Sequence, residues 1–248
     1  MGRNPRLQYE GALYHVRSRG NGQQNIFRDE RDHHIFLEIL AKVIQECGWV
    51  CHSYCLMGNH YHLLIATPRA NLAQGMLTLN GRYVKFFNLR HSRNGHVLGG
   101  RYRAKLIEDD AYLLTVARYI SLNPVAAFLV DNPAEWKWSS YNGYCDTSSK
   151  ENLLTTEFLL AYFGSDKASA TEAFRAYVMG AIEECRLKQT RPPLAKILSS
   201  DSERKQREEE ICVAFLEYGY TQIEIAAFLA VDRSTIWRII KRRADNAT

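Results

Sequence analysis

His60 and His62 stand two residues apart in a β-rich run, His60 to Thr67, and therefore project from the same face of a strand. Two imidazoles so placed can share one metal ion. Tyr61, Leu63 and Ile65 alternate with them and would pack the opposite face under helices. Tyr119 and Asn123 stand four apart in a helical pattern, so a hydroxyl and a carboxamide share one helix face and can point at one site. Plainer explanations exist for both pairs. Histidines at this spacing are more often surface or structural residues. Tyr119 also fits a core tyrosine beside an Asn that ends a helix, since Pro124 disfavours helix at the residue before it. A second group, Cys47, Cys51, His52 and Cys55, has the residue types of a zinc site. On an extended strand, however, Cys51 and Cys55 point away from His52. No zinc site is expected there.

Ala12 to Arg19 (ALYHVRSR) is partly alternating and runs into the turn signals Arg19-Gly20-Asn21-Gly22, which marks a first strand. From Asp29, apolar residues Ile35, Phe36, Ile39, Leu40, Val43 and Ile44 recur at helical spacing, and Gly48 is placed to end that helix. Trp49 to Met57 and His60 to Thr67 flank Gly58-Asn59 and predict a hairpin of strands two and three. Asn71 is placed to cap a second helix through about Leu89, Arg101 to Glu108 predicts strand four, and a third helix runs from about Asp110 to Leu122. The order β-α-β-β-α-β followed by a helix predicts an α+β, ferredoxin-like antiparallel sheet with helices on one face. Such a fold serves many functions, so function must be argued from residues.

After Pro124 come an aromatic stretch (NPAEWKWSSYNGY), a Ser-rich loop at Thr147 to Ser149 and helical patterns at Thr156 to Phe163 and Ala168 to Cys185. Arg191-Pro192-Pro193 reads as part of a linker. From Asp201 a helix is expected to about Tyr218. Thr221 then caps a short helix bearing Ile225, Ala226 and Leu229, Val231-Asp232 turns the chain, and Ser234 to Arg242 forms another helix. Small Ala226 permits close crossing, with Ile236 and Ile239 toward the core: a helix-turn-helix pattern.

Composition narrows the function classes. With 248 residues, 46% hydrophobic and 24% charged, the chain has the profile of a globular protein of about two domains. It contains no apolar run of the roughly 18 residues needed to span a membrane. Its start, MGRNPRLQYEGALYHV, lacks the apolar core of a signal peptide. Six cysteines suit a reducing compartment, so a cytoplasmic protein with no membrane partner is expected. The net charge of +5 is uneven: up to Val130 there are 16 Lys and Arg against 9 Asp and Glu, or +7, which leaves −2 for the remainder. A basic N-terminal half favours a polyanion such as nucleic acid, although solvated Arg and Lys that aid solubility give the same count.

Taken with their flanks, these residues resemble the HUH single-tyrosine transposases, and within them the REP-associated tyrosine transposases. The resemblance is carried by YHVRSRGNGQQNIF, YCLMGNHYHLLI, GGRYRAKLIEDDAYLL, ARYISLNPVAAFLV and WKWSSY, over most of residues 8–144. It implies that His60 and His62 bind a divalent metal, Mg or Mn, and that Tyr119 attacks DNA. The wider group places a glutamine metal ligand four residues after the tyrosine. Here that position is Asn123, whose carboxamide oxygen can ligate but whose side chain is one methylene shorter. Ala126 stands where relatives commonly carry Arg. Imidazole also suits Zn, Ni and Co, so the ligand types alone do not fix the metal.

A tyrosine hydroxyl, with a pKa of about 10, is a poor nucleophile at neutral pH, and a metal that grips the scissile phosphate offsets this. The implied products are a 5′-phosphotyrosine and a free 3′-hydroxyl, without a nucleotide cofactor. The implied partner is single-stranded or hairpin DNA, bound by a monomer or a homodimer. Arg101, Arg103 and Lys105 alternate along strand four and would form a basic face. Tyr83, Phe86 and Phe87 beside Arg82 and Lys85 would either stack bases or fill the core. Arg233, Ser234, Thr235 and Arg238 lie on or near the presumed recognition helix, where Lys241, Arg242 and Arg243 would hold phosphates or merely complement the helix dipole. The expected domains are a catalytic one at 1–145, a helical extension and linker at 146–200, and a helix-turn-helix DNA-binding domain at 201–248. Two rivals share the pattern: a non-catalytic nucleic-acid-binding regulator that kept the fold, and a replication-initiation or conjugative nickase.

Overall fold

Alternation along ALYHVRSR becomes strand β1 (Ala12–Arg19), with Ala12, Tyr14, Val16 and Ser18 buried on one side and His15, Arg17 and Arg19 on the other. The structure is a computed structural model that describes residues 8–145, 153–183, 192–199, 204–216, 218 and 220–245, without the side chains of 204, 205, 216 and 243–245. The Ser-rich loop at 147–149, Cys185, Arg191 and the Arg243 side chain lie outside the described residues. Helix α1 (Glu30–Cys47) starts where the Asp29 side chain accepts from the Asp32 amide and ends at Gly48, whose φ of 66° is readily adopted by glycine. Strands β2 (Val50–Leu56) and β3 (His60–Thr67) form the expected hairpin, followed by α2 (Leu72–Arg90), β4 (Arg103–Leu106) and α3 (Asp110–Ala126).

The four strands lie in the order β2-β3-β1-β4, with every neighbouring pair antiparallel. This is the α+β, ferredoxin-like sheet expected from the element order. On one face, Tyr14 and Val16 of β1 and Tyr61, Leu63 and Ile65 of β3 meet Phe36, Leu40 and Val43 of α1. Met76, Leu79, Tyr83 and Phe87 of α2 complete that core. Tyr83 and Phe87 are fully buried and Arg82 pairs with Glu46 at 2.8 Å, so the α2 aromatics pack the core and do not stack bases. Helix α3 packs on β2 and β3 from the other face. Its partners include α6 (Lys167–Met179), which also packs on α4 (Tyr141–Cys145) and α5 (Glu157–Leu160).

Four local expectations are corrected. Helix α3 does not stop before Pro124 but continues to Ala126. Proline removes the hydrogen bond to the carbonyl four residues back and crowds that carbonyl, and burial of Ile120, Leu122 and Val125 on the helix outweighs both costs. Asn71 makes no side-chain cap to α2. It accepts from Trp49 Nε1 at 2.8 Å and donates to the Cys47 carbonyl at 2.8 Å, tying α1 to the start of β2. Strand β4 begins at Arg103, because Gly100 with φ 118° turns the chain and pairing with β1 starts at Arg17 opposite Arg103. Finally, β2 is irregular between Cys51 and Ser53, which places Cys51 opposite Ile65 but Cys55 opposite His62. The two thiols therefore face opposite sides of the sheet, whereas unbroken alternation would have put them on one side.

The chain divides into two compact units, Met1–Ala181 and Ile182–Thr248. The second contains α7 (Leu194–Ile197), α8 (Arg204–Leu216), α9 (Gln222–Leu229) and α10 (Arg233–Asp245). Thr221 and Glu224 form a reciprocal capping box at the start of α9, and Ala230 in the left-handed region ends it. Ile211, Ala214, Tyr220, Ile225, Ala226 and Ile236 make a separate small core. Among the described residues no helix is long and apolar enough to cross a membrane.

Candidate active site

Register decides which side chains meet. Residues directly opposite in antiparallel strands share a face. Arg17 lies opposite His62 on one side and Arg103 on the other, Arg19 opposite His60, and His15 between Leu64 and Lys105. The face covered in part by α3 thus collects His15, Arg17 and Arg19 from β1, His60 and His62 from β3, and Arg103 and Lys105 from β4. Helix α3 adds Tyr119 and Asn123, one turn apart.

The hydrogen bonds fix how these groups are presented. Asn59 donates from Nδ2 to the Gln23 carbonyl at 3.2 Å, which turns its Oδ1 toward His60 Nδ1 at 2.6 Å. His60 Nδ1 must therefore carry the proton of the neutral ring, leaving a lone pair on Nε2. Asn123 is oriented by Nδ2 donating to the Tyr119 carbonyl at 3.4 Å, and its Oδ1 faces that His60 Nε2 at 3.4 Å. Two lone pairs thus face each other with no proton between them. His62 Nδ1 meets His15 Nε2 at 2.9 Å, with the two rings stacked 5.1 Å apart. Tyr119 sets its ring edge-on to His62 at 5.3 Å and to His15 at 5.9 Å. At 47% exposure it is no core tyrosine, and no described residue engages its hydroxyl.

All three imidazoles are held neutral. Burial, aided by His15, His60 and Arg17, pushes His62 down to about 2, and burial with Arg17 and Lys105 nearby pushes His15 down to about 4. Burial also lowers His60, against the opposing contribution of Asn123. Neutral imidazole is the ligating form. Among the described residues no group of three or more His, Cys, Asp and Glu side chains is arranged to hold a metal ion. The available donor set is therefore two imidazoles and one carboxamide oxygen, and the facing lone pairs of His60 and Asn123 fit a cation between them. The cysteine group offers no second site. Cys47 and Cys51 belong to the α1–α2 core, Cys55 lies on the other face, and His52 Nδ1 is bonded to the Thr155 carbonyl at 3.3 Å.

His60, His62 and Tyr119 line a cleft of about 480 Å³ whose wall includes Arg17, Arg19, Arg101 and Arg103 and no carboxylate. Gly20, Gly22, Gly99 and Gly100 keep its rim low. Of the expected strand-four cations, Arg101 and Arg103 reach this cleft. Lys105 instead caps the Tyr112 ring at 3.8 Å beside an adjoining cavity lined by His15 and Tyr119. Arg233 and Arg238 belong to the second unit. Sequence reasoning missed His15, Arg17 and Arg19. Their signal was present in the His-x-Arg-x-Arg alternation of ALYHVRSR, which puts all three on the face that β1, as a central strand, shares with β3.

The structure of a REP-associated tyrosine transposase bound to a REP hairpin is similar, with a TM-score of 0.51 and 13% identity over 63% of this chain and 93% of that one. A candidate transposase from Deinococcus radiodurans matches with a TM-score of 0.35 and 16% identity over 48% of this chain and 95% of that one. At these identities the first likeness shows a common fold. No curated protein matches the chain. A family profile described as "Transposase IS200 like" matches residues 8–123, just under half of the chain, and this stretch, which contains both histidines, Tyr119 and Asn123, is similar to the IS200-like transposases.

Proposed function

We propose that this DNA-processing enzyme nicks and rejoins single-stranded DNA with Tyr119 as nucleophile and His60, His62 and Asn123 as ligands of a divalent metal, Mg or Mn. The carrying observation is the exposed Tyr119 ring set against neutral His62 in a cleft walled by four arginines. The arginines draw the sugar–phosphate backbone in and hold it over the site. Tyr119 Oη forms a bond to phosphorus while the bond to the 3′-oxygen breaks. The phenol proton passes to solvent and the leaving oxygen takes one up. The product is a 5′-phosphotyrosine and a free 3′-hydroxyl, and attack by a 3′-hydroxyl reverses the step and rejoins a strand. When bound, the metal neutralises the scissile phosphate and orients it for in-line attack.

Residues 1–145 form the catalytic domain in this reading, with the helices of 157–179 packed on it. A hairpin-forming repeat is the favoured substrate, supported by the REP hairpin held by the transposase of similar fold. The test is incubation with hairpin oligonucleotides from DNA flanking the gene, with Mg or Mn, followed by denaturing electrophoresis. A covalent adduct is expected with the parent chain and none with Tyr119→Phe, whose DNA binding should stay within about twofold. An adduct that survives in Tyr119→Phe moves the nucleophile elsewhere, and a parent chain that binds hairpins without any adduct makes the protein a regulator.

A further inference from the structure

The family match ends at residue 123, and nothing in it accounts for the second unit. That unit is close to neutral overall, with 12 Lys and Arg against 11 Asp and Glu from Ile182 to Thr248. Its charges are nevertheless segregated. Helix α10 buries Ile236 and half-buries Thr235, Ile239 and Ile240 against α8 and α9. Its opposite face exposes Arg233, Ser234, Trp237, Arg238, Lys241 and Arg242. Spaced at 100° per residue, these six cover one side of the helix, with four cations and no acid among them.

Three of the four cations are uncommitted to carboxylates. Arg242 reaches Glu208 at 3.5 Å, but Arg233 bonds only to the Gln222 carboxamide at 3.4 Å and Arg238 to the Ser234 carbonyl at 3.2 Å. Lys241 lies over the Trp237 ring at 4.9 Å. Trp237 is 47% exposed in the middle of this face. A large aromatic framed by cations on a solvent-facing helix contributes nothing to the small core beneath it.

We infer that α10 is a reading helix for duplex DNA, entering the major groove with Arg233, Ser234, Trp237 and Arg238 toward base edges and Lys241 toward phosphate. Its 13 residues span about 20 Å, and its width matches a groove of about 12 Å. The short α9, rigidly started by its capping box and ended by the Ala230 turn, holds α10 at a fixed angle on the unit. The chain would then carry two DNA sites of different kind: a cleft for single strands and a helix face for duplex. The second does not depend on the chemistry of the first.

The test uses the full chain carrying Tyr119→Phe, so that cleavage plays no part, and a 30-base-pair duplex without hairpins, with affinity measured by fluorescence anisotropy from 50 to 200 mM salt. The comparison adds Arg233→Gln, Arg238→Gln and Lys241→Gln together, which keep the side-chain stems and remove the charges. Each lost phosphate contact lowers the slope of log affinity against log salt by about 0.9, so the loss of Lys241 lowers the variant slope by about 0.9, while the loss of Arg233 and Arg238 weakens binding at every salt concentration. Over that fourfold salt range the parent then loses roughly 3.5-fold more affinity than the variant. Trp237→Ala, which leaves charge unchanged, should weaken binding severalfold with the slope preserved. Binding of a short single strand by both variants should match the parent. Equal duplex affinity and slope in parent and triple variant would overturn the inference. So would a parent dimer that Trp237→Ala splits into monomers while duplex binding persists, because that result makes the face a contact between copies.

Discussion

Replacing His15 by alanine isolates the part of the site that never touches DNA in this mechanism. The substitution removes the 2.9 Å bond to His62 Nδ1 and the stacked ring 5.1 Å away, and so frees the His62 imidazole to turn about its last torsion. Partners that orient a ligating histidine typically contribute 10–100-fold to metal affinity, equivalent to about 1.4–2.7 kcal/mol. His15 is the only described side chain bonded to His62, so the upper half of that range is expected. The cost in fold stability should be smaller, about 1 kcal/mol for one partly buried hydrogen bond. Manganese titration followed by the paramagnetic resonance of the free ion reads metal affinity directly, without cleavage. The adduct yield should fall at limiting manganese and recover at saturation. His15→Gln, whose carboxamide oxygen can accept the His62 proton, should restore most of the affinity. Unchanged manganese affinity in a natively folded His15→Ala protein would refute the orienting role, as would an adduct yield that saturating metal does not restore.

His60→Ala or His62→Ala should each abolish metal-dependent adduct formation with circular dichroism unchanged, and full activity at limiting metal would remove that residue from the ligand set. A chain ending near Pro192 should keep the sheet and cleave a short single-stranded substrate at the parent rate, because the first unit has its own core; unfolding on truncation, seen by circular dichroism, would contradict this. Arg90→Ala leaves fully buried Asp32 with His91 and the Arg28 amide as its remaining partners, and should cost roughly 3 kcal/mol in urea denaturation at pH 7. Arg90 also holds the exposed Asp29 carboxyl down at about 2, so that smaller contribution to stability is complete above pH 4 and disappears as the pH falls toward 2. The gap between parent and Arg90→Ala should narrow in that window, and a gap that widens there would reverse the assignment.

Periodicity made the sheet and its two core helices legible because each element carries an unambiguous repeat. Asp29, Gly48 and Thr221 mark their helix ends through side-chain or backbone chemistry that acts within a few residues. The course of α3 past Pro124 was not legible, since the contacts that outweigh a missing hydrogen bond come from β2, β3 and α6, distant in sequence. The same holds for Asn71, which bonds to Trp49 in preference to its own helix. His60, His62, Tyr119 and Asn123 stood out by type and spacing. Arg17 and Arg19 were readable only by someone who assigned a face to each residue of β1 and knew that β3 was its neighbour. The irregularity in β2 has no sequence signature of its own, and it alone decides that Cys51 and Cys55 part company.

The pairing of β1 with β3 also acts as a proofreading device. A strand displaced by a single residue exchanges its faces, so a slipped β1 would drive His15, Arg17 and Arg19 into the space filled by Phe36, Leu40 and Tyr83 and turn Tyr14 and Val16 outward. Burying those guanidinium groups without partners costs several kcal/mol apiece, comparable to the whole stability of a domain. A chain with the wrong register is therefore not a stable impostor with a weakened cleft but an unfolded one. Errors of assembly and errors of chemistry are removed by the same penalty, and a DNA-processing enzyme has reason to leave no half-correct form in circulation.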